Sequence, residues 1–180
     1  MSNKVTKLKP RQKPAAALDT PTDLAPEAVE AVSDALNTIL ADSYALYLKT
    51  KNFHWHVSGP HFRDYHLLFD EQAAAILANT DDVAERVRKI GGITLKSIGQ
   101  ISKKQTIDDN DDDYVAPSDM LRELINDHKK IVAFLREAHG TCDDHEDIAS
   151  ASLIENWIDE AEKRLWFLFE ASRDADRQGH

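Results

Sequence analysis

The sequence predicts an all-α protein, a four-helix bundle with one long crossover connection between its second and third helices. Three observations carry this. Apolar residues recur at helical spacing through four long stretches, while strand-like alternation is scarce. Glycine and proline number only six each in 180 residues, few enough for long uninterrupted helices. The connections run short, then about 25 residues, then short, so that neighbours in each half are antiparallel and the long link can cross diagonally.

Residues 1–25 mix lysine, proline, threonine and alanine with no helical period, which reads as a flexible lysine-rich tail. Pro26 opens the first helix, with Glu27 in its first turn. Val29, Val32, Leu36, Ile39, Leu40, Leu46 and Tyr47 fall on one face, and the small Ser43 fills the step between. The run "SGP" at 58–60 stops it, with Gly59 as a left-handed cap and Pro60 opening the next element. The second helix is expected from about His61 to Ile90, ended by Gly91-Gly92. The crossover then holds a short helix near Ile98–Lys104. "PSDM" starts the third long helix, whose stripe is Leu121, Leu124, Ile125, His128, Val132 and Leu135, and Gly140 is expected to end it. Asp143 or Asp144 would cap the fourth, running to about Ser172. The bundle thus spans 26–173, leaving 174–180 as a short tail. Such an order is that of the ferritin-like bundles.

Composition narrows the function. One cysteine, Cys142, allows no intrachain disulfide and suits a reducing compartment. No apolar run approaches the ~20 residues a membrane helix needs, and the N-terminus lacks a secretory hydrophobic core, so the expected location is the cytoplasm. Charge is unevenly spread. Lys4, Lys7, Lys9, Arg11 and Lys13 face no acid in residues 1–13, so the other 167 residues carry 17 basic and 32 acidic side chains, a net −15. An acidic body attracts cations, while a basic arm attracts polyanions.

Chemistry concentrates in Asn52–Glu71, "NFHWHVSGPHFRDYHLLFDE", which holds four histidines within thirteen residues, His54, His56, His61 and His66. Ferritin-like bundles often hold two irons inside one chain through Glu-x-x-His pairs. No histidine here has a glutamate three residues before it. That intrachain site is therefore not expected. Instead His66 and Asp70 stand four apart on the second helix, as do Asp81 and Glu85. Eleven steps from Asp70 to Asp81 return to within about 20° of one stripe but advance roughly 16 Å. Metal–ligand bonds are only ~2.0–2.6 Å long, so the two pairs cannot hold one ion from one chain. Packing this helix antiparallel on its own copy, crossing near 75–76 beside the small Ala74 and Ala78, brings the pairs together.

At these residues the chain resembles the Dps family, the mini-ferritins or DNA-binding proteins from starved cells. The resemblance rests on "KNFHWHVSGPHFRDYHLLFDEQ", on "DDVAERVRKIGG" and on "EKRLWFLFEAS", and it covers about residues 30–172. It implies a hollow dodecamer with ferroxidase sites at two-fold interfaces. His54, His66 and Asp70 would come from one subunit, Asp81 and Glu85 from its neighbour, and two irons would bind per site. It further implies Fe(II) oxidation, preferably by hydrogen peroxide, and storage of a ferric mineral. Mixed imidazole and carboxylate donors suit iron in both oxidation states. Trp55, beside the ligand His54, is placed to supply or trap an electron.

Other features have plainer readings. His56, His61 and Asp64 match no ligand position and are expected to be interfacial or solvent-facing. His128 reads as a hydrogen-bonded core histidine, Trp157 and Trp166 as packing residues, and Cys142 as a passive thiol. The acidic run 108–113 lacks the glycine and closing glutamate of an EF-hand loop and reads as solvated. Asp143, Asp144, Glu146 and Asp147 fall where the family lines negative pores at three-fold axes; helix capping is the alternative. The basic tail is expected to bind double-stranded DNA without sequence preference, through phosphate contacts multiplied over many copies. Two rivals remain open: a structural nucleoid protein with a vestigial metal site, and a helical oligomer holding zinc, which the carboxylate-rich set disfavours.

Overall fold

A computed structural model of the chain describes residues 16–173. After a 3-10 turn at Ala16–Leu18 come five helices: α1 (Pro26–His56), α2 (Phe62–Lys89), α3 (Ile98–Lys104), α4 (Pro117–Asp144) and α5 (Ile148–Ser172). No strand occurs among the described residues. The helices α1 and α2 form one hairpin, α4 and α5 the other, and the segment carrying α3 links them. None of these helices is long and apolar enough to cross a membrane.

The expected stripes meet in two stacked core regions. One joins Val32, Leu36 and Leu40 of α1 to Val83 and Val87 of α2, Leu135 of α4 and Ile154, Trp157 and Ala161 of α5. The other joins Leu46 and Phe53 to Phe69, Ile76, Leu121, Leu124 and Leu168. Burying each large apolar side chain contributes roughly 1.5–3 kcal/mol, which is what holds four long helices against their conformational entropy. Trp157 is buried as expected, whereas Trp166 is 60% exposed and packs edge-on to Phe167 instead of into the core.

Polar side chains buried in α1 dictate the crossover's path. Asn37 donates to the Ile93 carbonyl (2.9 Å) and accepts from Leu95 N–H (3.2 Å). Asp42 accepts from Thr106 Oγ1 (2.8 Å) and from the backbone of Thr106 and Ile107. Lys49 and Asp127 form a buried ion pair at 2.8 Å between α1 and α4. Burial pushes the Asp127 carboxyl up even beside that lysine.

Three boundaries differ from expectation. Val57, not Gly59, ends α1, while Gly59 (φ +97°) accepts from Phe62 N–H and turns the chain into α2. Gly140 does not end α4. A glycine costs a helix only about 1 kcal/mol, and buried Ala138 and Cys142 on either side hold the helix in place. The stop comes at Glu146, in the left-handed region at φ +58°. Asp147, rather than Asp143 or Asp144, caps α5 by accepting from Ser150 N–H (3.0 Å). At the exit from α2 into the crossover, Gly91 (φ +85°) turns the chain and Gly92 lies against α1. A Cβ on Gly92 would lie 2.0 Å from Ser33 Oγ.

His128 is fully buried, as its stripe predicts, but neither ring nitrogen has a hydrogen-bond partner. The expected hydrogen bond is absent. Gln72 Oε1 and Arg164 Nε share that condition nearby, and Gln72 Nε2 donates to the Arg164 carbonyl (3.0 Å).

Candidate metal centre

The last turns of α1 and the first of α2 place His54, His66 and Asp70 side by side. Across that hairpin His54 Nδ1–H donates to the His66 carbonyl (2.8 Å), and His66 Nδ1–H donates to the His54 carbonyl (2.9 Å). The two rings stack with centroids 3.8 Å apart. A carbonyl oxygen can only accept, so both Nδ1 atoms carry hydrogen. In neutral imidazoles that leaves both Nε2 lone pairs free to bind a metal. His54 Nε2 lies 4.0 Å from Asp70 Oδ1. Two ligands each ~2.0–2.2 Å from an ion need little movement to close that gap. Nitrogen and carboxylate oxygen together suit first-row divalent ions.

A cation already stands at this carboxylate. Lys51 Nζ lies 2.6 Å from Asp70 Oδ1 and holds the Asp70 carboxyl below its usual range. The same ammonium is 5.9 Å from the centre of the Trp55 ring, within cation–π reach. Lys51 was missed from the sequence. Its signal was local: it precedes His54 by three residues and Trp55 by four, so all three share a side of α1.

The stripe along α2 continues as expected, but its far pair stays out of reach. Asp70, Ala74, Ala78, Asp81 and Glu85 are all exposed. Asp81 makes no hydrogen bond or ion pair among the described residues, and Glu85 pairs only with Lys89 (3.0 Å). Among the described residues no three potential ligands converge within one chain. Leu48, Leu67 and Leu77, with Trp55, expose apolar surface on the same α1–α2 side. The candidate carboxylates thus stand on a face that also exposes large apolar side chains, as surfaces covered by a partner do.

The remaining candidates fall out as follows. His56 is exposed and donates to the Asn52 carbonyl (2.8 Å), while His61 is exposed beside Tyr65. Asp64 is exposed in the first turn of α2. At the α4–α5 corner Asp143, Asp144 and Glu146 are exposed. Asp147 departs from the pore-lining expectation: it is 3% exposed, and its carboxylate is taken up by Arg86 and by Ser150 Oγ and N–H. Burial holds the Cys142 thiol up at about 12, so it is unreactive as expected. Lys4, Lys7, Lys9, Arg11 and Lys13 lie outside the described residues.

A family model for the ferritin-like domain matches residues 33–177. The chain is 34% identical to an "uncharacterized low temperature-induced protein" of Nostoc sp., over 81% of this chain and 82% of that one. It is 31% identical to the "DNA protection during starvation protein" of Brevibacillus brevis, over 76% of this chain and 91% of the relative. Among solved structures, Dps from Thermosynechococcus elongatus superposes with a TM-score of 0.80 at 29% identity, covering 83% of this chain and 95% of that chain.

Proposed function

Because the chain belongs to the Dps family of ferritin-like proteins, we propose that it is a mini-ferritin that oxidises Fe(II) at sites shared between two copies. The supporting observation is the reciprocal His54–His66 pair, which turns both Nε2 atoms into acceptors beside Asp70. In this reading iron is substrate and cargo. His54, His66 and Asp70 of one subunit hold it, Asp81 and Glu85 of a two-fold-related copy complete the set, and two irons bind per site. Ala74 and Ala78 let the two α2 helices approach. Hydrogen peroxide is the favoured oxidant, since paired ferrous ions supply both electrons its reduction requires. Trp55, 58% exposed beside the ligands, serves as an electron donor when only one iron is bound. The ferric product is stored in the cavity of a dodecamer.

The name of the Brevibacillus brevis relative is the ground for extending this to DNA protection. Residues Lys4, Lys7, Lys9, Arg11 and Lys13 would supply phosphate contacts, releasing counterions on binding. Asp143, Asp144 and Glu146 would draw ferrous ions toward the shell. We place the protein in the cytoplasm, associated with the nucleoid.

Anaerobic Fe(II) titration followed by peroxide tests the reading. Native mass measurement on the same sample gives the assembly. Peroxide consumption in proportion to iron, by a dodecamer, is expected. A dodecamer that binds DNA but consumes no peroxide with iron would establish the structural nucleoid protein instead.

A further inference from the structure

An arginine in the middle of the bundle lacks the acceptors its charge calls for. Arg164 of α5 has only 13% of its side chain exposed. A guanidinium carries five N–H donors and stays charged in proteins. Among the described residues none of those donors makes a hydrogen bond, and Nε is fully buried without a partner. Its one ion pair there, to Glu160 Oε2, is 3.9 Å long, and Asn79 Nδ2 of α2 already donates to the same oxygen. Burial accordingly lowers the Arg164 pKa, and the Glu160 charge only partly offsets this.

The same side chain forms part of the wall of a cavity of ≈ 30 Å³ between the four long helices. Leu46, Ile76, Leu135 and Trp157 supply one apolar wall residue from each helix, and Ser43 and Asn79 add polar atoms. The Ser43 hydroxyl is committed to the Ile39 carbonyl (2.8 Å). Among the described residues Arg164 is the only charged one on this wall, and no carboxylate lines it. A charge held in apolar surroundings is costly unless an opposite charge meets it, and the attraction is stronger there than in water. Water alone would accept hydrogen bonds from the guanidinium but leave its charge unpaired. The volume is two to three times the ~10–15 Å³ that one water needs, room for a halide ion but not for a sulfate-sized anion. Gln72 Oε1, also unpartnered, is an acceptor and needs a donor such as water instead; neither it nor His128 lines the cavity.

We propose that this cavity binds a halide ion of chloride size against the Arg164 guanidinium, tying α5 to the other three long helices from within. The Asn79–Glu160 hydrogen bond, which joins α2 to α5 beside Arg164, opens to let the ion exchange. The site is separate from the centre at His54, His66 and Asp70 and does not rest on the iron reading.

Bromide scatters anomalously and stands in for chloride. Crystals of the full-length protein soaked in sodium bromide should give an anomalous peak in each chain, in contact with the Arg164 guanidinium. Water there instead, or the Glu160 carboxylate swung onto Arg164, would overturn the proposal. In solution, the assembled protein is melted in sodium chloride and in sodium gluconate, whose anion is too large for the cavity, at equal ionic strength. The unmodified protein should melt higher in chloride. Once the site is saturated, each tenfold rise in chloride should raise its folding constant about tenfold per chain. Arg164→Met, similar in length but uncharged, should show no preference between the two salts. An equal chloride preference in both proteins would overturn the proposal, as would bromide bound in the crystal with no chloride preference in solution. Should the variant fail to fold, the bromide map and the chloride dependence of the unmodified protein decide between them.

Discussion

Lys51 Nζ and Asp70 Oδ1 are 2.6 Å apart, and the same carboxylate oxygen lies 4.0 Å from His54 Nε2. A protein cation thus competes with any metal for the ligand. Both partners reach solvent, so the competition is modest. Lys51→Met should tighten Zn(II) binding about two- to fivefold at constant pH and salt. Calorimetry measures this, and weaker binding would show that Lys51 organises the carboxylate rather than occupying it.

The His54–His66 pair makes a sharper prediction. Each ring is oriented by the other residue's carbonyl. His66→Ala removes a ligand and the stacking partner while leaving the carbonyl in place. Metal affinity at the centre should fall at least tenfold, with the melting temperature little changed. Loss of fold rather than of binding would make the pair structural.

Sharing of the site between copies is open to complementation. His66→Ala and Asp81→Ala homo-oligomers should both be inactive in Fe(II) oxidation. Random mixing gives half heterodimers, each with one intact and one doubly damaged site. Co-refolded protein should therefore recover about one quarter of wild-type activity. No recovery would mean that the ligands belong to one chain.

His128 makes stability depend on pH. Burial depresses its folded-state value to about 3, from an ordinary 6.5. Above pH 6.5 both states are neutral and its contribution is complete. As pH falls below 6.5 the unfolded chain takes up a proton that the folded chain refuses, so stability is lost progressively toward pH 3. By pH 4.5 the loss is about 2–3 kcal/mol. His128→Leu should flatten that part of the denaturation profile, and parallel profiles would contradict it. Unpartnered atoms on His128, Gln72 and Arg164 are also where an ordered internal water is expected in a high-resolution map.

Gly92→Ala tests the close approach of the α2 exit to α1. The new Cβ would meet Ser33 Oγ at 2.0 Å and Val87 Cγ1 at 2.9 Å. Destabilisation of about 1–3 kcal/mol is expected from overpacking, with part restored by adding Ser33→Ala. Chemical denaturation is the measurement, and an unchanged midpoint would mean that the α2 exit yields without cost.

Helix number, order and faces were legible in the chain itself. A 3.6-residue period of buried Leu, Ile and Val is a local property, and it carries into the two core regions, with Val29 alone of the α1 stripe left half-buried outside them. So is the α2 stripe, because a helix converts sequence spacing directly into angle and rise. Proline at Pro26 and Pro117 marked two helix starts for the same reason: its restricted φ acts where it stands.

What only the tertiary structure decided involves groups far apart along the chain. The crossover is held by Asn37 and Asp42, which bond backbone more than fifty residues away. No spacing rule announces such a pair. Gly140 continues α4 because buried neighbours offset a weak local preference, and Asp147 caps α5 with Arg86 on its carboxylate. The exchange between His54 and His66 fixes which nitrogens are free, and it needs two helices brought together. Sequence thus determined which candidate metal-binding residues share a helix face. Folding determined which atoms of those residues are available, because hydrogen bonds and charge act through space while periodicity acts only along the chain.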